Sequence, residues 1–161
     1  MSKYLVTAAA VGVWLAIGVG SGGAATDVIS EPVSFALPAG QCADLPAGVS
    51  VMGSGTAIVR AHSSVDAEGR FHEHFATTIT GVAADNLGGT YRFNYHQSTT
   101  LSPAADFPFV VHITDHFNLV GNGPANKVHT FFNITLLVTG PGSEVFLSAH
   151  VHGDPETCDP L

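Results

Sequence analysis

Apolar and polar side chains alternate with period two along residues 107–121. One set is Phe107, Phe109, Val111, Ile113, Asp115, Phe117 and Leu119; the other is Val110, His112, Thr114, His116, Asn118 and Val120. Alternation over this length predicts a β-strand with one face on a core and the other in water. Each face holds an exception: the apolar set contains a carboxylate, Asp115, and the polar set carries two histidines. The phenylalanine face, and with it Asp115, is expected to point inward.

The same kind of pattern predicts strands over 49–63, 70–82, 90–99, 128–138 and 144–152, with a short edge strand over 33–37 between Pro32 and Pro38. Turn chemistry separates them: Asp66-Ala67-Glu68-Gly69, Asp85-Asn86-Leu87-Gly88-Gly89, Asn122-Gly123-Pro124 and Gly140-Pro141-Gly142. Gly53 and Gly55 suggest a bulge or sharp bend in the first long strand. No helical periodicity stands out beyond residue 25, and the tail 152–161 reads as irregular. Short strands at regular spacing imply an antiparallel meander. The expected fold is all-β, a small antiparallel barrel of about seven or eight strands, with a two-sheet sandwich as the alternative.

The first 25 residues read as a targeting segment. Lys3 precedes an apolar run over 5–20, and Ser21-Gly22-Gly23-Ala24-Ala25 supplies the small residues of a signal-peptidase site, placing cleavage before Thr26. Residues 26–48 form a Pro- and Ala-rich lead-in, and 49–161 the β-domain with its tail. The exported protein is then secreted or held at the cell envelope, without stable membrane insertion. Charged residues at 11% and hydrophobic ones at 45% imply a packed core. With 5 basic against 13 acidic residues, a formal charge of -8, nucleic acid is excluded as a partner. Cys42 and Cys158 are the only 2 cysteines; far apart in an exported chain, they predict a disulfide joining the start of the domain to its tail.

Gly-Val-Ala-Ala-Asp at 81–85, Tyr-Arg-Phe-Asn-Tyr at 91–95, His-Ile-Thr-Asp-His-Phe-Asn-Leu-Val-Gly at 112–121 and His-Gly-Asp-Pro-Glu-Thr-Cys-Asp-Pro at 152–160 resemble a group of small exported actinobacterial β-domain proteins. The resemblance implies a compact β-domain and a terminal disulfide, and no activity.

Two sets of side chains are candidates for chemistry. The chain has 9 histidines. His72 and His74, His112 and His116, and His150 and His152 lie at even spacing and so share a strand face, as ligands of one Zn or Cu ion would. A tight turn at 122–126 places Asn118 opposite His129 and Thr114 opposite Asn133, and a turn near 66–67 places His62 opposite His72. The second set is on the apolar faces. Glu73 alternates with His72 and His74 among phenylalanines, as Asp115 does on its own strand, and Tyr91 and Tyr95 share a face with Phe93. A carboxylate in such surroundings is a candidate acid/base, with Tyr91 and Tyr95 as partners. No nucleophile elbow or phosphate loop is present. The leading expectation is a non-catalytic exported domain that binds a small apolar molecule or serves structurally, with no cofactor. The alternatives are a His-based metal-binding protein and an acid/base enzyme acting on an apolar substrate through Asp115 or Glu73.

Overall fold

The structure, a computed structural model, describes residues 25–102, 107–126 and 128–158. The expected leader lies outside the described residues except for Ala25. Among the described residues no helix is long and apolar enough to cross a membrane.

Seven antiparallel strands form one sheet in chain order. They are β1 (Ala25–Leu37), β2 (Val51–Val65), β3 (Phe71–Asp85), β4 (Thr90–Ser102), β5 (Phe109–Gly121), β6 (His129–Gly140) and β7 (Ser143–His152). The expected all-β meander is present, with each strand paired to its chain neighbour. Two features were longer or more regular than the pattern predicted. The edge strand over 33–37 extends back to Ala25 as β1, because Val28, Ile29 and Val33 continue an extended run that pairs with β2 throughout. The tail holds one turn of helix, α1 (Pro155–Cys158), opened by a proline at its first position.

The sheet curls strongly. The Phe35 ring on β1 lies 4.8 Å from Phe93 on β4 and 5.5 Å from Phe117 on β5, centroid to centroid, both edge to face. In a flat sheet with strands ~4.8 Å apart, β1 and β5 would be separated by roughly 19 Å. The inner faces of β1, β4 and β5 are therefore folded onto each other. Closure is not completed: β1 and β7 are not hydrogen-bonded neighbours. The all-β fold anticipated from the pattern is present as one unclosed sheet, neither a closed barrel nor two separate sheets.

Burial is concentrated at one end. Phe35, Leu37, Val49, Val51, Phe93, Phe117, Leu119 and Val128 are all buried there, as are Ala57 and Ile79. Gly53 faces Phe35 in the ladder, and a methyl group at Gly53 would overlap the Phe35 ring; one at Gly81 would overlap Phe93. No bulge occurs at Gly53 or Gly55, since the ladders to β1 and β3 run without a shift. In place of a bulge, the missing side chain at Gly53 lets a ring lie against the backbone. The register shifts lie instead between β6 and β7.

The edges of the sheet are joined covalently at this packed end. Cys42, after β1, is bonded to Cys158 in α1, after β7, with Cα atoms 4.5 Å apart and a sequence separation of 116. A loop of this length restrains the unfolded chain by about 5 kcal/mol in the chain-entropy treatment. Reduction should therefore lower the free energy of unfolding by up to ~5 kcal/mol, read as a shift of the urea midpoint with and without reductant. Phe35→Ala in the oxidised protein should cost about 3–5 kcal/mol; a loss under 1 kcal/mol would mean that the curl does not depend on this ring.

Candidate functional site

Strand pairing fixes the two faces of the sheet. Residues opposite each other in a ladder share a face, so the buried positions Phe35, Ala57, Ile79, Tyr95 and Phe117 define an inner, concave face that can be followed along every strand. At the packed end this face is filled. Toward the other end it continues through Phe71 and Phe75 on β3, Leu101 on β4, Phe109, Val111 and Ile113 on β5, and Phe132, Ile134 and Leu136 on β6. These side chains are only half-buried, and Phe75 is 38% exposed. An apolar wall therefore lines the open end, where the Phe107 ring stacks on Phe109 at 5.4 Å between centroids and the other side chains stay partly exposed. On β7, Phe146 and Val151, which belong to the same face, are 69% and 53% exposed.

Asp115 lies where the filled and open halves meet. It is 3% exposed, as the inward phenylalanine face requires. Its Oδ2 accepts a hydrogen bond from the Tyr95 hydroxyl at 2.7 Å. Its Oδ1 is buried with no partner among the described residues, and so is Oγ1 of Thr130, which is 1% exposed on β6. Gln97 stands directly opposite Asp115 on β4, and Phe132 opposite it on β6. Thr130 pairs with Phe117, one inward-facing position from Phe132 toward the packed end, so both polar groups lie on the concave face near the boundary of the two halves. Thr130 was not among the candidates, although it shares the parity of Phe132 and Ile134; a threonine between His129 and Phe131 reads as ordinary strand filler until register is known.

Of the other acid/base candidates, Tyr95 joins Asp115, and Glu73 and Tyr91 do not. Glu73 is half-buried on the same face, but it pairs with Leu101, four residues along β4 from the Gln97 that faces Asp115. At ~3.3 Å per residue that is roughly 13 Å toward the open end. Two carboxylates so placed do not form one acid/base pair. Tyr91 is committed elsewhere. Its hydroxyl donates to Asp85 Oδ2 at 2.5 Å and accepts from the Ala125 backbone N–H at 3.0 Å. Asp85 Oδ1 takes the N–H groups of Leu87 and Gly89 at 2.8 and 2.7 Å. This lock ties the β3–β4 turn to the β5–β6 loop at the packed end, and a methyl group at Gly123 would strike both the Tyr91 hydroxyl and Asp85. The Tyr91 hydrogen bond, assisted by the turn N–H groups, holds the Asp85 carboxyl below its ordinary range; burial and the carboxylate push the Tyr91 phenol up. The role of Asp85 was hidden because the predicted strand ended at 82.

All the histidines lie on the convex face, opposite the phenylalanines. Six of them act there as hydrogen-bonding groups. His62 bonds Thr26, His96 bonds Thr78 and His112 bonds Thr135. His72 lies between Asp66 Oδ2 at 3.0 Å and Ser102 at 2.8 Å. That contact, with the N–H and guanidinium of Arg70, holds the Asp66 carboxyl well below the usual carboxylate range. The ladder places Asn118 opposite His129 and Thr114 opposite Asn133, as expected, but His62 faces His74 and not His72. The turn is longer by two residues because Asp66 Oδ1 caps the N–H groups of Glu68 and Arg70. Of the metal candidates, His116 meets His129, with their Nε2 atoms 3.0 Å apart, and His152 lies against His129 at 5.2 Å between ring centroids. His150 stands against the Phe131 ring. His72, His74, His112, His116, His150 and His152 thus do not converge, and no group of three or more His, Cys, Asp or Glu suited to a metal ion occurs among the described residues. A shallow depression of about 820 Å³ also lies on the convex side, lined by Met52, Val82, Arg92 and Val120.

Comparison with protein-family models, with curated proteins and with solved structures returned no match. The chemistry of the concave face therefore rests on its own geometry.

Two predictions concern this network. Tyr91→Phe leaves Asp85 Oδ2 and the Ala125 N–H without their partner and should cost about 2 kcal/mol, measured by urea unfolding at pH 7.5. The pH dependence has a definite sign. Burial, reinforced by His129 and His96, lowers the His116 pKa from 6.5. The unfolded chain then takes up its proton first, so the stability His116 contributes is present above pH 6.5 and lost as pH falls below it. Asp66 and Asp85, both lowered from 3.8, add a second loss as pH falls below that value. Unfolding at pH 7.5, 5.5 and 3.0 should show both steps, and His116→Asn should weaken only the upper one.

Proposed function

We propose that this is an exported, non-catalytic β-domain that binds a small apolar molecule on the concave face of its open half. The observation that carries the reading is the contrast between the two ends of one face. At the packed end Phe35, Phe93 and Phe117 fill it; at the open end Phe71, Phe75 and Phe132 line it and remain partly exposed. Binding sites for small apolar ligands are concave, mostly apolar, and carry a few convergent polar groups, which Asp115, Tyr95 and Thr130 supply. The Cys42–Cys158 bond fits an oxidising compartment and supports export. The acid/base reading through Asp115 or Glu73 draws on the same face, with Tyr95 bonded to Asp115 and Glu73 nearer the open end. The metal reading has less support, because His116 and His129 gain no third ligand at hydrogen-bonding range.

Nile red, which is neutral and apolar, should gain fluorescence and shift to the blue on mixing with the folded protein, with micromolar affinity. Phe132→Asp should weaken that binding by on the order of tenfold or more by removing apolar area and adding a charge. The same substitution at exposed Phe146 should have a smaller effect. A folded protein that neither lights the dye nor gains thermal stability from a panel of neutral apolar compounds overturns the proposal.

A further inference from the structure

The charges of the sheet are sorted by face. Asp27 and Glu31 on β1 pair with Ala61 and Ala57, inner positions of β2; Glu73 pairs with Ser63 and Leu101; Glu144 pairs with Val138. With Asp115, each of these carboxylates belongs to the concave face. Arg60, Arg92 and the strand histidines belong to the convex one, since they alternate with those inner positions. No Lys, Arg or His stands on the concave face among the described residues. A wall that is apolar and also carries charge of a single sign is not the surface of choice for a neutral or anionic lipid. Independently of that sorting, Asp115 Oδ1 and Thr130 Oγ1 are buried without partners among the described residues. A buried oxygen of this kind is costly to leave without a donor.

We infer that the ligand of the concave face is a cationic amphiphile, an organic ammonium on an apolar body. This rests on the reading that the face binds a small apolar molecule and names its chemistry. The ammonium N–H groups reach Asp115 Oδ1 and Thr130 Oγ1 near the boundary of the two halves, where an –NH₃⁺ head offers three donors to two oxygens. The body lies along Phe132, Ile113 and Phe75. Glu73, Glu31 and Glu144 surround the entry with negative potential and favour approach of a cation. Tyr95 fixes the rotamer of Asp115 by its hydrogen bond to the other carboxylate oxygen.

Decylamine, decanol, decanoate and propylamine, each below its micelle concentration at pH 7.5, separate the contributions in calorimetric titrations of the oxidised full-length protein. Decylamine should bind roughly tenfold or more tighter than decanol, as a charge-assisted hydrogen bond predicts, and decanoate weakest of the three long chains. Propylamine, with the same charge and little apolar body, should bind far more weakly than decylamine. Asp115→Asn, close in shape, should weaken decylamine by on the order of tenfold while leaving decanol within about threefold. Should that variant not fold, the ranking on the unmodified protein decides the matter alone. Equal binding of all three long chains, or a preference for decanoate, overturns the inference while leaving apolar binding intact. Absence of binding by every long chain, together with no response to Nile red, overturns both.

Discussion

Everything in this sheet depends on one ring crossing it. Phe35 stands on an edge strand, where it would be solvent-exposed in a flat sheet, yet it is packed on Phe93 and Phe117 from strands three and four positions away. The contact needs curvature, and curvature needs room. Gly53 gives the room beneath Phe35, and Gly81 does the same beneath Phe93. Burying large aromatic side chains is worth about 1.5–3 kcal/mol each, so the interaction both bends the sheet and holds it bent. The disulfide at the same end then keeps the edges of the sheet together through the loops that follow them.

Curling turns a two-sided sheet into an inside and an outside with different chemistry. The outside replaces the usual lysine and glutamate with histidine, threonine and asparagine, joined by cross-strand hydrogen bonds such as His112–Thr135 and Asn133–Thr114. Such a surface is weakly charged at neutral pH and acquires charge as the pH falls. The inside keeps its carboxylates among aromatic and aliphatic groups. Those near the packed end are treated in two ways. Asp85 is satisfied on both oxygens by Tyr91 and the turn N–H groups, whereas Asp115 is satisfied on one. The first is a structural lock, and the second leaves one buried oxygen without a partner among the described residues.

Most of the architecture was legible because period-two alternation and turn residues act locally. The pairing of Asn118 with His129 followed from the length of the loop between β5 and β6 alone. The inward direction of Asp115 followed from its place among phenylalanines. What could not be read depends on distant chain segments meeting. Whether the sheet closes is set by how far Phe35 pulls β1 across, which no local pattern encodes. The partner of Tyr91 was obscured because Asp85 looked like a turn residue, and the His62–His74 pairing because Asp66 caps a wider turn than its sequence suggests. Thr130 gains meaning only from Asp115 on the neighbouring strand.

In a closed barrel the diameter is fixed by strand number and stagger, because every ladder hydrogen bond must be made. This sheet has an odd number of strands, so β1 and β7 run in the same direction and end at the same disulfide-linked rim. It resembles a split collar pinned at one lip. Widening the far lip breaks no ladder hydrogen bond, since none spans the seam. The bore at that end is therefore governed by the bending stiffness of the sheet, and its width can change without a change in strand pairing.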